Sequence, residues 1–163
     1  MSLPPVVVYL GLGSNLGDRR RNLERGLEFL RQRLSVERVS PVYDTEPVGE
    51  GDPPRYLNMV CQVTTWLAPP ELLALVKAIE QKLGRTGGSG APRPIDIDIL
   101  LYGNQVVNTP ELIIPHPRLT ERAFVLIPLV EIAADKVHPV KRKTVKELLD
   151  ELKDTHTVFR VGK

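Results

Sequence analysis

The sequence predicts an α+β fold, a ferredoxin-like βαββαβ core with a C-terminal elaboration made of a hairpin and additional helices. Three observations carry this. Strand-like apolar patterns recur at residues 6–12, 35–43, 56–64 and 95–99; helical spacing separates the first from the second and the third from the fourth; no helix lies between the second and third. An antiparallel sheet covered on one side by two helices follows from that order.

The first strand is β-branched and apolar and stops at Gly11 and Gly13, before the turn residues Ser14 and Asn15. In residues 18–34, Leu23, Leu27, Leu30 and Leu34 recur at helical spacing, with Asp18 available as N-cap. Residues 35–43 alternate imperfectly and contain Pro41, the mark of an edge strand, and residues 45–55 form a Pro/Gly-rich loop. From Tyr56 to Thr64 the alternation is clean. Leu57, Met59, Cys61 and Val63 share one face, and Tyr56, Asn58, Val60 and Gln62 share the other.

Pro69 or Pro70 opens the second helix, with Glu71 in its first turn, a stripe of Leu72, Val76, Ile79 and Leu83, and Gly84 just beyond. A glycine-containing loop over 85–92 leads to the last core strand. Tyr102-Gly103-Asn104-Gln105 then reads as a turn into Val106 and Val107, residues 120–127 as a short helix, and Thr144 with Glu147 as a capping box before Val145, Leu148, Leu149 and Leu152. Residues 1–4 and 160–163 are the ends expected to fray.

A chain of 163 residues suits one domain over its whole length. With 22 Lys and Arg against 20 Asp and Glu, the net charge of +2 gives no general attraction to nucleic acid or to an anionic membrane. Cys61 is the only cysteine, so no intramolecular disulfide forms, and its apolar strand setting predicts a buried structural thiol. With neither a basic leader nor a long apolar span in the sequence, a cytoplasmic monomer acting on small molecules is expected, without a nucleic-acid or membrane partner.

The sharpest chemical signal is Asp96-Ile97-Asp98. Side chains alternate along a strand, so both carboxylates emerge opposite the apolar face of Ile95, Ile97 and Ile99. A hard divalent cation bridged to phosphate oxygens relieves their mutual repulsion, although the same alternation also marks an ordinary half-exposed strand. Arg85, Arg93, Arg118 and Arg122, with His116 in Pro115-His116-Pro117-Arg118, suggest an anion-binding rim, against a plain reading as separate surface cations. Gly11-Leu12-Gly13-Ser14-Asn15-Leu16-Gly17 fits neither the G-x-G-x-x-G spacing nor a Walker A loop. Its glycines permit a close turn or a close backbone approach. Tyr56 and Asn58 share a face on which a flat heterocycle would stack and hydrogen-bond, and Phe124 offers a second ring, unless both rings simply pack in the core.

Taken together, residues 10–17, Tyr56-Leu57-Asn58, residues 92–100, and Pro115-His116-Pro117-Arg118 followed by Arg122-Ala123-Phe124 resemble the 6-hydroxymethyl-7,8-dihydropterin pyrophosphokinase family of folate biosynthesis. The resemblance runs in order from Val6 to about Ile132, and its specificity comes from four separated motifs agreeing. It implies transfer of the β,γ-pyrophosphoryl group of ATP to the pterin hydroxymethyl oxygen, with two Mg²⁺ ions held by Asp96 and Asp98. It further implies pterin contacts from Thr45, Val48, Tyr56, Asn58 and Phe124, and ATP contacts from Glu80, Arg85, Arg93, Ile99, His116 and Arg122. Arg85, Arg93, Asp96 and Asp98 would carry catalysis, with no general base assigned.

One segment departs from the pattern. Better-known members of the family carry a longer stretch with additional arginines and a tryptophan that close over ATP, where this chain has Thr86-Gly87-Gly88-Ser89-Gly90-Ala91. Two other functions compete with the pyrophosphokinase reading: a ferredoxin-like module that senses a nucleotide without turnover, and a kinase that transfers the γ-phosphoryl group and yields ADP.

Overall fold

Val6–Ser14 forms β1, which is paired on both of its edges: antiparallel to β4 (Tyr56–Thr65) on one side and to β5 (Asp96–Tyr102) on the other. The computed structural model describes residues 3–45, 55–84, 94–152 and 158–160, with the backbone alone at residues 45 and 158–160. Within these residues the protein is a mixed α/β structure with an antiparallel sheet and four helices. The far edge of β4 is shared by β2 (Ser35–Val39) and β3 (Tyr43–Thr45). The expected edge strand is thus split in two around Pro41, which has no N–H to give a ladder. Ser40 holds the break together: its N–H donates to Val60 O at 2.8 Å, and its hydroxyl accepts from Val60 N at 2.9 Å.

α1 (Arg19–Arg33) begins as its sequence signals, with the Asp18 carboxylate accepting from Arg21 N at 3.2 Å. Its leucine stripe, Leu23, Leu27 and Leu30, is buried with Leu72, Val76 and Ile79 of α2 (Pro69–Lys82) against Leu10, Leu12, Met59, Cys61, Ile97 and Ile99 of the sheet. α2 ends at Gly84, whose φ of +97° is a left-handed conformation that favours glycine. Cys61 is fully buried in this core, and burial pushes its thiol pKa up to about 12, as suits an inert structural cysteine.

α1 and α2 cover one face of the sheet, as expected, and the second face is covered too. Tyr9, Val60, Leu100 and Leu101 form a second core with α3 (Ala123–Ala133) and α4 (Val145–Glu151). A β-bulge explains how adjacent Leu100 and Leu101 both serve it: Leu10 pairs with Ile99 and Tyr9 with Leu101, so Leu100 is the extra residue. The short helix expected over 120–127 starts later and runs further. Residues Leu119–Glu121 form a 3-10 turn, and α3 itself is apolar on nearly every side because it is buried. α4 has the expected capping box, with Glu147 N donating to Thr144 Oγ1 at 3.1 Å and Thr144 N to Glu147 Oε1 at 2.9 Å.

After the Tyr102–Gln105 turn, β6 (Val107–Asn108) and β7 (Ile113–Ile114) form a separate hairpin. β8 (Val158–Arg160) pairs with β3, so Arg160 belongs to the sheet rather than to a frayed end. The sheet order is β5-β1-β4-β3-β8.

Before α4, the buried His138 ring closes a turn: its Nδ1 accepts from Val140 N at 3.2 Å and Lys141 N at 3.0 Å. Burial first, and the Lys141 charge second, hold its pKa below the ordinary 6.5. Between that value and the lower folded one, the unfolded chain binds more protons than the native chain, so stability falls as pH is lowered through that window. Urea unfolding should therefore show wild-type stability dropping below about pH 6.5, the ordinary histidine value, and dropping less in His138→Asn, which keeps an acceptor that does not titrate. An identical slope in both proteins would clear His138 of the effect.

Candidate functional site

β5 forms the end of the sheet, so its outward N–H and C=O groups lack a ladder partner, and two side elements meet them. The amide of Ile97, between the two aspartates, donates to Glu80 Oε2 at 2.7 Å. Glu80 reaches it from α2 and is only 3% exposed. Three residues further along, Leu100 O accepts from His116 N at 3.0 Å, in the segment that follows the cis Ile114–Pro115 bond. The strand carrying the carboxylates is therefore held at its open edge by a helix and by the proline-rich segment.

Asp96 and Asp98 are half-buried on one face, as their alternation with Ile97 and Ile99 predicts. Around the open edge of β5 lies a cleft of about 440 Å³, within the size range of small-molecule sites. Glu80, Asp96, Asp98, Ile99, His116 and Arg122 all line it. Six residues chosen from the sequence thus come together in space, drawn from α2, β5, the proline-rich segment and the start of α3. Lys77, Pro110, Glu111 and Leu112 also line the cleft and were not anticipated. Lys77 was legible in principle, since it stands three residues before Glu80 on one side of α2.

His116 has a defined protonation pattern. Burial, with the charges of Arg122 and Arg118, lowers its pKa below the ordinary 6.5, while Asp96 opposes the shift. Nδ1 accepts from Arg118 N at 3.1 Å, so the neutral ring carries its proton on Nε2. That atom lies 4.0 Å from Asp98 Oδ2, too far for a direct hydrogen bond. Arg122 stands at the N-terminus of α3 with its guanidinium carbon 5.4 Å from the centre of the Phe124 ring.

Tyr56 and Asn58 are not among the residues lining the cleft. Sheet register connects them to it. Tyr43 pairs with Asn58, Asn58 with Gly13, and Gly13 with Asp96, so one row crosses four strands. Two strand spacings, roughly 10 Å, separate Asn58 from Asp96. The Tyr43 hydroxyl donates to Glu131 Oε1 at 3.0 Å and so ties the row to α3. Thr45 pairs with Tyr56 through the backbone. Arg55 Nε donates to Asp44 Oδ1 at 2.8 Å, and Arg55 O accepts from Arg19 Nη1 at 2.9 Å. Val48, Arg85, Arg93 and residues 86–91 lie outside the described residues.

The Glu80 contact has a measurable consequence. Glu80→Ala leaves the buried Ile97 amide without its acceptor, and urea unfolding should show a loss of about 1–3 kcal/mol. Glu80→Gln retains an oxygen acceptor and should lose less. Equal losses would mean that the negative charge, and not the hydrogen bond, matters at this position.

Residues 9–134 match the sequence family described as 7,8-dihydro-6-hydroxymethylpterin-pyrophosphokinase, or HPPK. A 2-amino-4-hydroxy-6-hydroxymethyldihydropteridine pyrophosphokinase of Aquifex aeolicus (strain VF5) is 43% identical over 145 residues, covering 88% of this chain and 91% of the relative. The Bacillus subtilis (strain 168) protein of the same name is 46% identical over 129 residues, covering 77% of each chain. In structure, the fold is similar to a crystal structure of Plasmodium falciparum HPPK-DHPS, with a TM-score of 0.75 and 18% identity. That likeness covers 90% of this chain and 45% of the solved one, less than half its length, and concerns the fold alone.

Proposed function

This chain belongs to the 7,8-dihydro-6-hydroxymethylpterin-pyrophosphokinase family, and from that membership we propose how its residues perform the reaction. The chain transfers the pyrophosphoryl group of ATP to 6-hydroxymethyl-7,8-dihydropterin in folate biosynthesis. The hydroxymethyl oxygen bonds to the β-phosphorus and loses its proton to solvent, the bond from that phosphorus to the α,β-bridging oxygen breaks, and AMP leaves with the bridging oxygen. The observation that carries the reading is the gathering of Glu80, Asp96, Asp98, Ile99, His116 and Arg122 in one cleft, with Asp96 on the same sheet row as Asn58, two strands along.

Asp96 and Asp98 are the residues that would hold Mg²⁺, with two ions expected. Their donor chemistry fits: both are hard oxygen ligands on one half-buried strand face. Among the described residues there is no group of three or more His, Cys, Asp or Glu that could hold a metal ion. Mg²⁺ suits such a place because it usually takes one or two carboxylates, keeps several waters and accepts substrate phosphate oxygens. When bound, it neutralises the charge of the phosphates and of the leaving oxygen.

The protein's own groups bind and orient. Neutral His116 donates from Nε2 to a phosphate oxygen, and Arg122 follows the negative charge with a guanidinium fork. Arg85 and Arg93 grip the triphosphate from the two ends of the 86–91 segment. Asn58 hydrogen-bonds the pterin edge while Tyr56 and Phe124 take its two faces, with Thr45 and Val48 completing the pocket. Bringing the hydroxyl into line replaces a bimolecular encounter with a positioned one, and no residue is assigned as general base.

The strand order supports a ferredoxin-like core, with β5 beside β1, β1 beside β4, and β2 and β3 beyond. Two helical layers sharing that sheet support a single domain over residues 1–163. The lone buried Cys61 suits a reducing cytoplasmic setting, where the chain is expected to act as a monomer. Among the described residues no helix is long and apolar enough to cross a membrane.

Product analysis tests the reaction. With Mg²⁺, ATP and 6-hydroxymethyl-7,8-dihydropterin, the expected products are AMP and the pterin diphosphate. ADP would indicate γ-phosphoryl transfer, and ATP binding without turnover a sensing module.

A further inference from the structure

We propose that Gly13 is a positioning residue for the pterin, acting through Asn58; the inference rests on the assignment of Asn58 and Tyr56 to that substrate. Gly13 lies in β1, in the middle of the row Asn58, Gly13, Asp96. The backbone does not require a glycine there, since the glycines with positive φ are Gly17, Gly84 and Gly103. What requires it is space. A Cβ at position 13 would stand 2.8 Å from Asn58 Oδ1, and 3.4 and 3.7 Å from Cδ1 and Cε1 of the Tyr56 ring. The room left by the missing side chain is taken by the amide and the ring assigned to the pterin.

Gly11 provides an internal comparison. It lies on the same sheet face two residues earlier, yet a Cβ there would meet only the Leu100 side chain, at 3.5–3.7 Å, which is ordinary van der Waals contact. Glycine at position 11 is thus sterically optional, and at position 13 it is not.

The nature of the clash predicts where its cost falls. The atom in the way is the end of a rotatable side chain, so Asn58 relieves the overlap by turning its amide. Replacing a strand glycine with alanine also reduces the freedom of the unfolded chain, which offsets part of the cost of that turn. Asn58 is 8% exposed, however, so an amide turned away has little freedom to return. Hydrogen bonds weaken steeply with angle, and the pterin edge loses its partner.

Calorimetric titration with 6-hydroxymethyl-7,8-dihydropterin, and separately with Mg²⁺ and a non-hydrolysable ATP analogue, tests this alongside steady-state kinetics. Gly13→Ala should weaken pterin binding about tenfold, the scale of one hydrogen bond, and raise the pterin KM more than it lowers kcat. The affinity for the ATP analogue should stay at its wild-type value, and Gly11→Ala should leave pterin affinity unchanged. In an Asn58→Ala background there is no Oδ1 to displace, so the added effect of Gly13→Ala should vanish. Wild-type pterin affinity in Gly13→Ala, equal losses for both ligands, or an undiminished effect in the Asn58→Ala background would each overturn the proposal. Failure of the wild-type protein to bind the pterin would instead remove the functional assignment on which it rests.

Discussion

Replacing Asp96 or Asp98 with Asn should leave the fold intact and lower turnover by roughly 10²–10³-fold, the scale seen when one preorganised electrostatic contact to a transition state is lost. Asn is nearly isosteric with Asp, and both positions are half-buried, so packing against the apolar face of Ile97 and Ile99 is unaffected. The loss would fall on charge: with Asp96 and Asp98 holding Mg²⁺ as proposed, one carboxylate fewer would weaken that hold and the neutralisation of phosphate charge that the ion would supply. Turnover measured against Mg²⁺ concentration, with circular dichroism as a check on folding, separates the two. Raising Mg²⁺ should recover part of the rate in each variant. Unchanged turnover in both at limiting Mg²⁺ would remove the pair from metal binding.

The second large effect is expected at Arg122, which stands in the cleft and also over the Phe124 ring. Arg122→Ala removes a charge-assisted contact of about 1.5–3 kcal/mol and should lower kcat/KM by roughly ten- to a hundredfold. Because the guanidinium also packs on Phe124, the pterin KM should rise together with the ATP KM. Arg122→Lys separates the roles. A lysine keeps the charge but loses the planar fork and the flat stacking surface, so it should recover only part of the activity. Full recovery by Lys would reduce Arg122 to a point charge, and an unchanged pterin KM in Arg122→Ala would disconnect it from the ring.

Local chemistry was readable along the chain. Asp18 and the Thr144 with Glu147 pair marked helix starts, Gly84 a helix end, and the alternation of Ile95, Ile97 and Ile99 with Asp96 and Asp98 the face of the carboxylates. Each depends on residues within a few positions of one another, where periodicity and hydrogen-bond chemistry are set by the chain itself. Errors arose where the deciding partner was distant. The helix over 120–127 was misplaced because burial under the second sheet face, and not its own pattern, governs α3. The second helical layer is not legible locally, because nothing in the strand's own pattern shows that a bulge turns both Leu100 and Leu101 toward it. Arg160 reads as a loose end in the sequence because a three-residue strand has no signal apart from its neighbour β3.

The same division holds for the site. By itself the sequence determined the inventory: two aspartates on one strand face, an amide and a ring two residues apart, a histidine between prolines, and four separated motifs of one family. Tertiary structure alone decided that Glu80 reaches the amide between the aspartates, that His116 presents Nε2 toward Asp98, and that Asn58, Gly13 and Asp96 share one row. The physical reason is that side-chain periodicity is a property of a single strand, whereas strand order and register are settled by competition among distant pairings for the same buried faces.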